Sequence, residues 1–187
     1  MAQFFDTDDC RAADMVLCQE HHLPQRVTAA AEADLRKQGW RASVSPALSA
    51  GQAGTTGGLL LAAPSRYGLV NLPSTDNVVV PGRVTLHHFG GVAKGGLMVA
   101  NVYLTCNIGL TAANWKALTK LGELLSRYSQ PFIIGGDWNL TPQELHRSGW
   151  PAAIGGKVIY PTQPGGTCAP AGRVLDFFVV SETLASP

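Results

Sequence analysis

The sequence has few charged residues and lacks the features that mark several common classes of protein. Lys, Arg, Asp and Glu make up only 14% of its 187 residues, but no apolar run reaches the roughly 20 residues of a membrane helix. The N-terminus has neither the basic region nor the apolar run of a secretory signal. The formal net charge of +1 favours no class of partner, because local patches decide such binding. We therefore expect a cytoplasmic or nuclear protein without membrane association.

Cysteine spacing and the absence of repeats bear on the redox state of the protein and on the number of its domains. None of the four cysteines forms a C-x-x-C pair, so buried reduced thiols are favoured over disulfides or a zinc site. No internal repeat is present and no linker divides the chain. A chain of 187 residues can bury a sizeable core as one unit. We expect residues 1–187 to form a single domain of undetermined oligomeric state.

Apolar runs bounded by glycine, proline and polar clusters predict strands, and two segments have helical character. Helices are expected over residues 25–38 and after Thr111, a candidate N-cap, with an apolar stripe at Trp115, Leu118, Leu121, Leu124 and Leu125. Residues 140–172, rich in glycine and proline, are expected to be mostly loop. Because the helices fall between strands, the order predicts a sheet-centred α/β sandwich. Strands are expected over residues 13–20, 40–45, 59–63, 83–89, 97–105, 131–137 and 173–181.

One stretch, residues 131–139, combines a buried strand with polar side chains at its end. An apolar run leads into Gly135 and Gly136, and Asp137 and Asn139 follow. If the extended backbone continues past the glycines, both polar side chains point to the same side. This arrangement suggests a functional site. The alternative is an Asx turn in which the two side chains satisfy only local backbone donors.

Four motifs in a fixed order strengthen the interpretation as a site. The motifs are the strand ending in Gln19-Glu20, Asn101-Val102-Tyr103, Gly136-Asp137-Trp138-Asn139 and the strand from Arg173 that contains Asp176. They resemble, in that order, motifs of the endonuclease/exonuclease/phosphatase superfamily, the fold of pancreatic deoxyribonuclease and the apurinic-site endonucleases. Gly57-Gly58 also fits the glycine-led second strand of that family.

The resemblance implies a four-layer α/β sandwich, in which helices flank two packed mixed sheets. It also implies hydrolysis of a phosphodiester or phosphomonoester with Mg²⁺ or Mn²⁺, on nucleic acid or another phosphoester substrate. By resemblance, Glu20 would hold the metal and Asp137 would orient or deprotonate the attacking water. Asn139 and Tyr103 would hydrogen-bond the phosphate, and Asp176 would orient a catalytic histidine.

Each of these residues also has a purely structural interpretation. Glu20 can be a solvated acid at the end of a strand, and Tyr103 a core residue. Asp176, flanked by apolar residues, can form a structural ion pair with Arg173. Trp138 is expected to pack in the core. His21 and His22 lie beside Glu20 and are minor candidates for metal contact, and His87-His88 is expected to be an ordinary alternating stretch of a hairpin.

The sequence also departs from the family pattern. The first strand of the family, with its asparagine, and the last, with a Ser-Asp-His motif, have no counterpart, so we expect a fragment or decayed copy with little or no hydrolase activity. The leading hypothesis is a nuclease-type domain, of the sort attached to retroelement reverse transcriptases. The alternatives are a phosphatase of small or lipid phosphoesters and a catalytically silent binding module. The loops show no interleaving of basic and aromatic residues that would favour nucleic acid.

Overall fold

The computed structural model describes residues 5, 7–70, 72, 77–91, 94–162, 166–168 and 172–185. Its helices are α1 Asp8–Ala12, α2 Gln25–Lys37, α3 Ala112–Leu125, α4 Pro142–Arg147, α5 Trp150–Ala153 and α6 Glu182–Ala185. Its strands are β1 Val16–Gln19, β2 Trp40–Ser45, β3 Leu48–Ser49, β4 Thr55–Thr56, β5 Leu59–Pro64, β6 Leu69–Val70, β7 Val78–Val80, β8 Val84–Phe89, β9 Leu97–Tyr103, β10 Phe132–Asp137, β11 Gly156–Ile159 and β12 Asp176–Ser181. The seven predicted strands and both predicted helices are present, with ends shifted by up to three residues.

Two sheets form the centre of the molecule. The larger has the order β11-β12-β10-β9-β8-β6, with β7 also paired to β8, and the smaller has the order β1-β5-β2. In the larger sheet β9 and β10 are parallel, because α3 carries the chain back across the sheet between them. The other described pairings, including both in the smaller sheet, are antiparallel.

Three apolar clusters hold four layers together. One cluster lies between the sheets and includes Leu61 of β5, Val99 of β9 and the partly buried Leu17 of β1. A second joins the outer face of the smaller sheet to α2 through Leu35 and Trp40. The largest covers the outer face of the larger sheet with α3, α4 and α5. The predicted α/β sandwich is confirmed, but only the larger sheet is mixed, since both pairings of the smaller sheet are antiparallel.

The prediction that residues 140–172 are mostly loop is wrong for much of this segment. It contains α4, α5 and β11. Thr141 and Glu144 form a capping box, in which the Thr141 side chain accepts from the Glu144 N–H and the Glu144 carboxylate accepts from the Thr141 N–H. Pro142 follows at the first helical position, where it lacks only a donor that the helix does not use. Proline and glycine here start and end short elements instead of preventing them.

The predicted apolar stripe of α3 is correct except for Trp115. That side chain is 41% exposed, whereas the four leucines of the stripe are buried. At 3.6 residues per turn, Trp115 lies roughly 120° around the helix from Leu121, beyond the buried face. Asn114 points inward instead, and its side chain binds the backbone N–H and carbonyl of Thr105. Thr111 occupies the N-cap position but makes no capping hydrogen bond with its side chain.

Candidate active site

Three neighbouring strands of the larger sheet end in a row of polar side chains. Tyr103 ends β9 and Asp137 ends β10, and the two residues are paired in the parallel register. Asp176 begins β12 and is paired with Asp137 in the antiparallel register. Since side chains at paired positions lie on the same face of a sheet, the three functional groups share one face and one edge. They are 34 and 39 residues apart in sequence, and strand pairing alone makes them neighbours.

Glu20 joins this row from the opposite sheet. It follows β1 directly, and its Oε1 accepts a short hydrogen bond from the Tyr103 hydroxyl. The backbone of Glu20 has φ 54°, a left-handed conformation that is unusual for a non-glycine residue. The chain therefore turns sharply at the end of β1, and the Glu20 carboxylate lies over the end of the larger sheet. Such strained positions cluster at functional sites.

Asn101 fixes the two sheets relative to one another just below this contact. Its side chain is fully buried and donates to the carbonyl oxygens of Cys18 (3.0 Å) and Leu60 (2.9 Å) in the smaller sheet. Its Oδ1 accepts from Gln19 Nε2 at 2.7 Å. A buried amide whose partners are all in the other sheet sets the spacing and register of the two layers. This role was not predicted from the sequence, in which Asn101 was noted only as part of a motif that resembles the family.

The turn after β10 orients Asp137 and Asn139. The Asx turn of the alternative interpretation is present, since Asp137 Oδ1 accepts from the backbone N–H of Asn139 at 2.9 Å. Asn139 has φ 48°, so the predicted extended backbone does not continue past Asp137. The Asn139 Nδ2 donates to the Leu104 carbonyl oxygen at 2.9 Å, which holds the amide beside the end of β9. An amide nitrogen carries two N–H groups, so this bond leaves a second donor for another acceptor.

The electrostatics of the site centre on Asp137. Partial burial raises the pKa of the Asp137 carboxyl, the hydrogen bond from the Asn139 N–H lowers it in part, and the negative charges of Asp176 and Glu20 raise it further. Burial and the bond to Glu20 raise the pKa of the Tyr103 phenol to about 12, so the phenol is protonated at neutral pH. The Asp137 carboxyl therefore lies close enough to Asp176 and Glu20 to be affected by both charges.

Asp176 differs from the expectation of a buried ion pair. It is exposed, and Arg173 instead lies 3.9 Å from Glu144, measured from Nη2 to Oε2. The Thr167 hydroxyl oxygen accepts from the backbone N–H groups of Leu175 and Asp176, at 2.8 and 2.9 Å, and so fixes the start of β12. The Arg173–Asp176 ion pair of the alternative interpretation is not formed, because Arg173 lies against Glu144 of α4.

Two glycines allow β10 to pack where it does. A Cβ at Gly135 would lie 2.6 Å from Leu17 Cδ1 and 2.7 Å from the Phe178 ring, so the absent side chain lets the two sheets approach. A Cβ at Gly136, whose φ is 154°, would overlap the Val102 carbonyl on the neighbouring strand. Both glycines are structural requirements of a strand that ends at the site.

An arginine that contacts Tyr103 was missed by the sequence analysis. The Arg83 guanidinium lies over the Tyr103 ring, with Cζ 4.5 Å from the ring centroid, and Nη2 donates to Thr56 Oγ1 at 3.4 Å. Its backbone carbonyl accepts from the Tyr103 N–H at 2.8 Å. Arg83 precedes an ordinary strand without any recognisable motif, so nothing local to it indicates this position.

The five histidines have structural surroundings. His21 Nδ1 accepts from the Leu23 N–H at 3.0 Å and its Nε2 lies 3.1 Å from the Ser45 carbonyl oxygen, so both ring nitrogens are used and the ring is neutral. The Nδ1 of His22 lies 3.0 Å from the Thr55 carbonyl oxygen. His87 is buried between the sheets. The Nε2 of His88 lies 3.0 Å from the Gly95 carbonyl oxygen, and His146 is exposed on α4.

Trp138 packs as expected. It is fully buried, stacks on Phe177 with ring centroids 5.2 Å apart, and lies 6.0 Å from the Trp150 ring. Its indole N–H donates to the Phe177 carbonyl oxygen at 2.9 Å. The side chain between Asp137 and Asn139 thus anchors the turn to the core.

Comparison with known proteins supports the fold. No protein-family model matches the chain, and no curated protein matches it by sequence. The structure resembles the apurinic endonuclease LMAP of Leishmania major (TM-score 0.66, 17% identity), covering 98% of this chain and 73% of that one. It also resembles the 3′ phosphatase NExo of Neisseria, solved with a product DNA hairpin (TM-score 0.62, 18% identity), covering 98% of this chain and 81% of that one. A third similar structure is the endonuclease domain of TRAS1, a telomere-specific non-LTR retrotransposon (TM-score 0.58, 12% identity), with 91% of this chain and 87% of that one covered.

These neighbours belong to the endonuclease/exonuclease/phosphatase superfamily, so the resemblance found in the sequence is confirmed at the level of the fold. Among the residues that the structure describes, no helix is long and apolar enough to cross a membrane.

Proposed function

We propose that this chain is a metal-dependent phosphoester hydrolase domain of the nuclease type, with its reaction centre at the row formed by Tyr103, Asp137 and Asp176. The observation that carries the proposal is the hydrogen bond from Tyr103 to Glu20, which joins that row to a carboxylate of the opposite sheet. Four separate segments contribute oxygen-bearing side chains to one edge. The structural neighbours, which are nucleases and phosphatases, support the same chemistry.

The donor set fits a magnesium or manganese ion. Over the residues that the structure describes, no three His, Cys, Asp or Glu side chains form a complete metal cage. Mg²⁺ does not need one, because it keeps several waters and takes one or two carboxylates together with substrate phosphate oxygens. Burial is the main cause of the raised pKa of Asp137, and the negative charges of Asp176 and Glu20, which add to it, are of the kind that a bound cation would neutralise. Glu20 would hold the ion, which when bound would neutralise charge on the phosphoryl oxygens.

The remaining residues position the reactants. Asp137 would orient and deprotonate the attacking water, and its raised pKa makes it a stronger base than an ordinary aspartate. The second N–H of the Asn139 amide would donate to a phosphate oxygen as negative charge develops, and the Tyr103 hydroxyl would do so when a phosphate oxygen replaces Glu20 as its acceptor. Because the turn and the Leu104 contact already fix the Asn139 amide, little reorganisation is needed.

The proposal assigns no histidine to Asp176, and for this reason we expect slow turnover. In the family that the sequence resembles, this aspartate would orient an imidazole, but the ring nitrogens of His21 are bonded elsewhere and His87 is buried between the sheets. Loss of a general acid or base costs roughly 10²- to 10⁴-fold in rate. Asp176 then contributes mainly negative charge beside Asp137.

Metal binding and hydrolysis test the proposal separately. Binding of Mn²⁺ by electron paramagnetic resonance is expected for the unchanged protein and is expected to weaken at least tenfold in Glu20→Gln. Glu123→Gln, an exposed glutamate on α3, is the matched control. Hydrolysis of a labelled oligonucleotide and of bis(p-nitrophenyl) phosphate is then followed with and without Mg²⁺. Equal Mn²⁺ affinity in both variants would refute the assignment of Glu20.

The hydrolysis assay also separates the alternative functions. Hydrolysis of p-nitrophenyl phosphate, a monoester, without cleavage of either phosphodiester would identify a phosphatase. Binding of metal and oligonucleotide with no product after prolonged incubation would identify a silent binding module. Slow cleavage of oligonucleotide that disappears in Asp137→Asn is the outcome expected from the geometry.

A further inference from the structure

A groove lies along α4 and the outer strand β11. It consists of two adjoining cavities, of about 530 and 470 Å³, that share Pro142, Gln143 and Tyr160 in their walls. Val174, two residues before Asp176 of the candidate active site, lines the smaller cavity, and Lys157 lines the larger. We refer to this surface as the α4–β11 groove.

Basic side chains lie at both ends of this groove with an aromatic ring between them. Arg147 and Lys157 line only the larger cavity, and Arg173 lines only the smaller one. Tyr160 lines both and is 41% exposed. All three cations are exposed. The groove also contains the carboxylate of Glu182, and the Glu144 carboxylate lies beside it, 3.9 Å from Arg173, so three cations face two carboxylates and positive charge remains in excess.

We infer that the α4–β11 groove binds a single-stranded stretch of polynucleotide next to the phosphate held at the candidate active site. Single-strand binding combines cations that follow the backbone with aromatic rings on which bases stack, and this groove has that arrangement. A compact anion such as a phosphorylated headgroup would need its cations gathered at one point, whereas these are spread along a channel with Tyr160 in the middle. The inference rests on the proposed function, because it makes the polynucleotide the substrate of that site.

The α4–β11 groove could not be predicted from the sequence. Arg147, Lys157, Tyr160 and Arg173 are spread over 27 residues and belong to a helix, a strand and two loops. No local run of basic and aromatic residues exists, and for this reason the loops gave no signal in favour of nucleic acid over other phosphoester substrates. Folding of α4 against the edge of β11 brings these side chains to one surface.

The test measures binding without catalysis. Fluorescein-labelled oligothymidylate is titrated with the full chain in EDTA, and anisotropy is followed between about 50 and 200 mM salt. Three phosphate contacts predict a slope of log K against log salt concentration near −2, at about −0.7 per contact for a single strand. Lys157→Gln and Arg147→Gln are each expected to reduce that slope by about 0.7. Lys120→Gln, an exposed lysine on α3, is the matched control and should leave it unchanged.

Tyr160 provides a second, independent measurement. Tyr160→Ala is expected to weaken binding on the order of tenfold without changing the salt slope, while Tyr160→Phe keeps a ring and should retain the affinity. If Lys120→Gln lowers affinity as much as Lys157→Gln, or if Tyr160→Ala has no effect, the inferred site is wrong. Metal-dependent hydrolysis of bis(p-nitrophenyl) phosphate by a protein that fails this test would leave the proposed function intact and overturn only the groove.

Discussion

The buried His87 is expected to make the stability of the fold depend on pH. His87 lies on β8, is 1% exposed, and is paired with Val99 of β9, and its Nδ1 has no hydrogen-bond partner among the described residues. Burial lowers the pKa of the imidazole from 6.5 to about 4. The unfolded chain therefore takes up a proton at this position at a higher pH than the folded chain does. The stability that depends on a neutral His87 is fully present above pH 6.5 and is lost as the pH falls towards 4.

The size of the effect follows from the two pKa values. A shift of about 2.5 pKa units corresponds to about 3.4 kcal/mol when the titration is complete. The linkage relation gives a loss of about 1.3 kcal/mol at pH 5.5 and about 2.5 kcal/mol at pH 4.5, relative to pH 7.5. These losses are a large part of the free energy of unfolding of an ordinary domain, which is about 5–15 kcal/mol.

The perturbation is His87→Leu, and the assay is urea denaturation at pH 7.5, 5.5 and 4.5. Leucine cannot take up a proton and places no unpaired nitrogen between the sheets. The difference in unfolding free energy between variant and unchanged protein should grow by the amounts given above as the pH falls. Other groups, including His21, whose pKa is also lowered by burial, titrate equally in both proteins and cancel. A difference that stays constant between pH 7.5 and 4.5 would refute the assignment of a low pKa to His87.

Three substitutions test how the frame of the site is held. Gly136→Ala should cost more than about 3 kcal/mol or prevent folding, because its Cβ would overlap a backbone carbonyl. The control Gly155→Ala has a left-handed φ of 69° but open space around it, so it should cost only about 1 kcal/mol. Equal melting temperatures of the two variants would contradict this expectation. Asn101→Ala should lower the unfolding free energy by about 2–4 kcal/mol, since it leaves buried carbonyl oxygens of the smaller sheet unpaired; a loss below 1 kcal/mol in urea titrations would rule out a clamp between the sheets. Thr141→Ala should lower the unfolding free energy by about 1 kcal/mol, because it removes the cap of α4. Since α4 forms one wall of the inferred groove, oligonucleotide affinity should also fall in this variant. An unchanged melting temperature would show that the capping box contributes little.

Local pattern was sufficient for the elements and for the identity of the polar residues at their ends. Apolar runs closed by Gly and Pro gave the principal strands, and the order of Glu20, Tyr103, Asp137 and Asp176 gave the family resemblance that the fold confirms. Patterns of this kind work because each strand must bury its own apolar side chains whatever its partners are. The catalytic roles of these residues stay a prediction, as does the absence of the first and last family strands.

Pairing between distant segments decided the rest. Only the register of β9, β10 and β12 aligns Tyr103, Asp137 and Asp176, and only the packing of the two sheets brings Glu20 to the Tyr103 hydroxyl. Local patterns likewise gave no indication that Arg83 stacks on Tyr103 or that Arg173 faces Glu144. Such contacts depend on which surfaces meet after the chain folds. They are therefore set by the packing of the whole chain and cannot be predicted from the residues next to them in sequence.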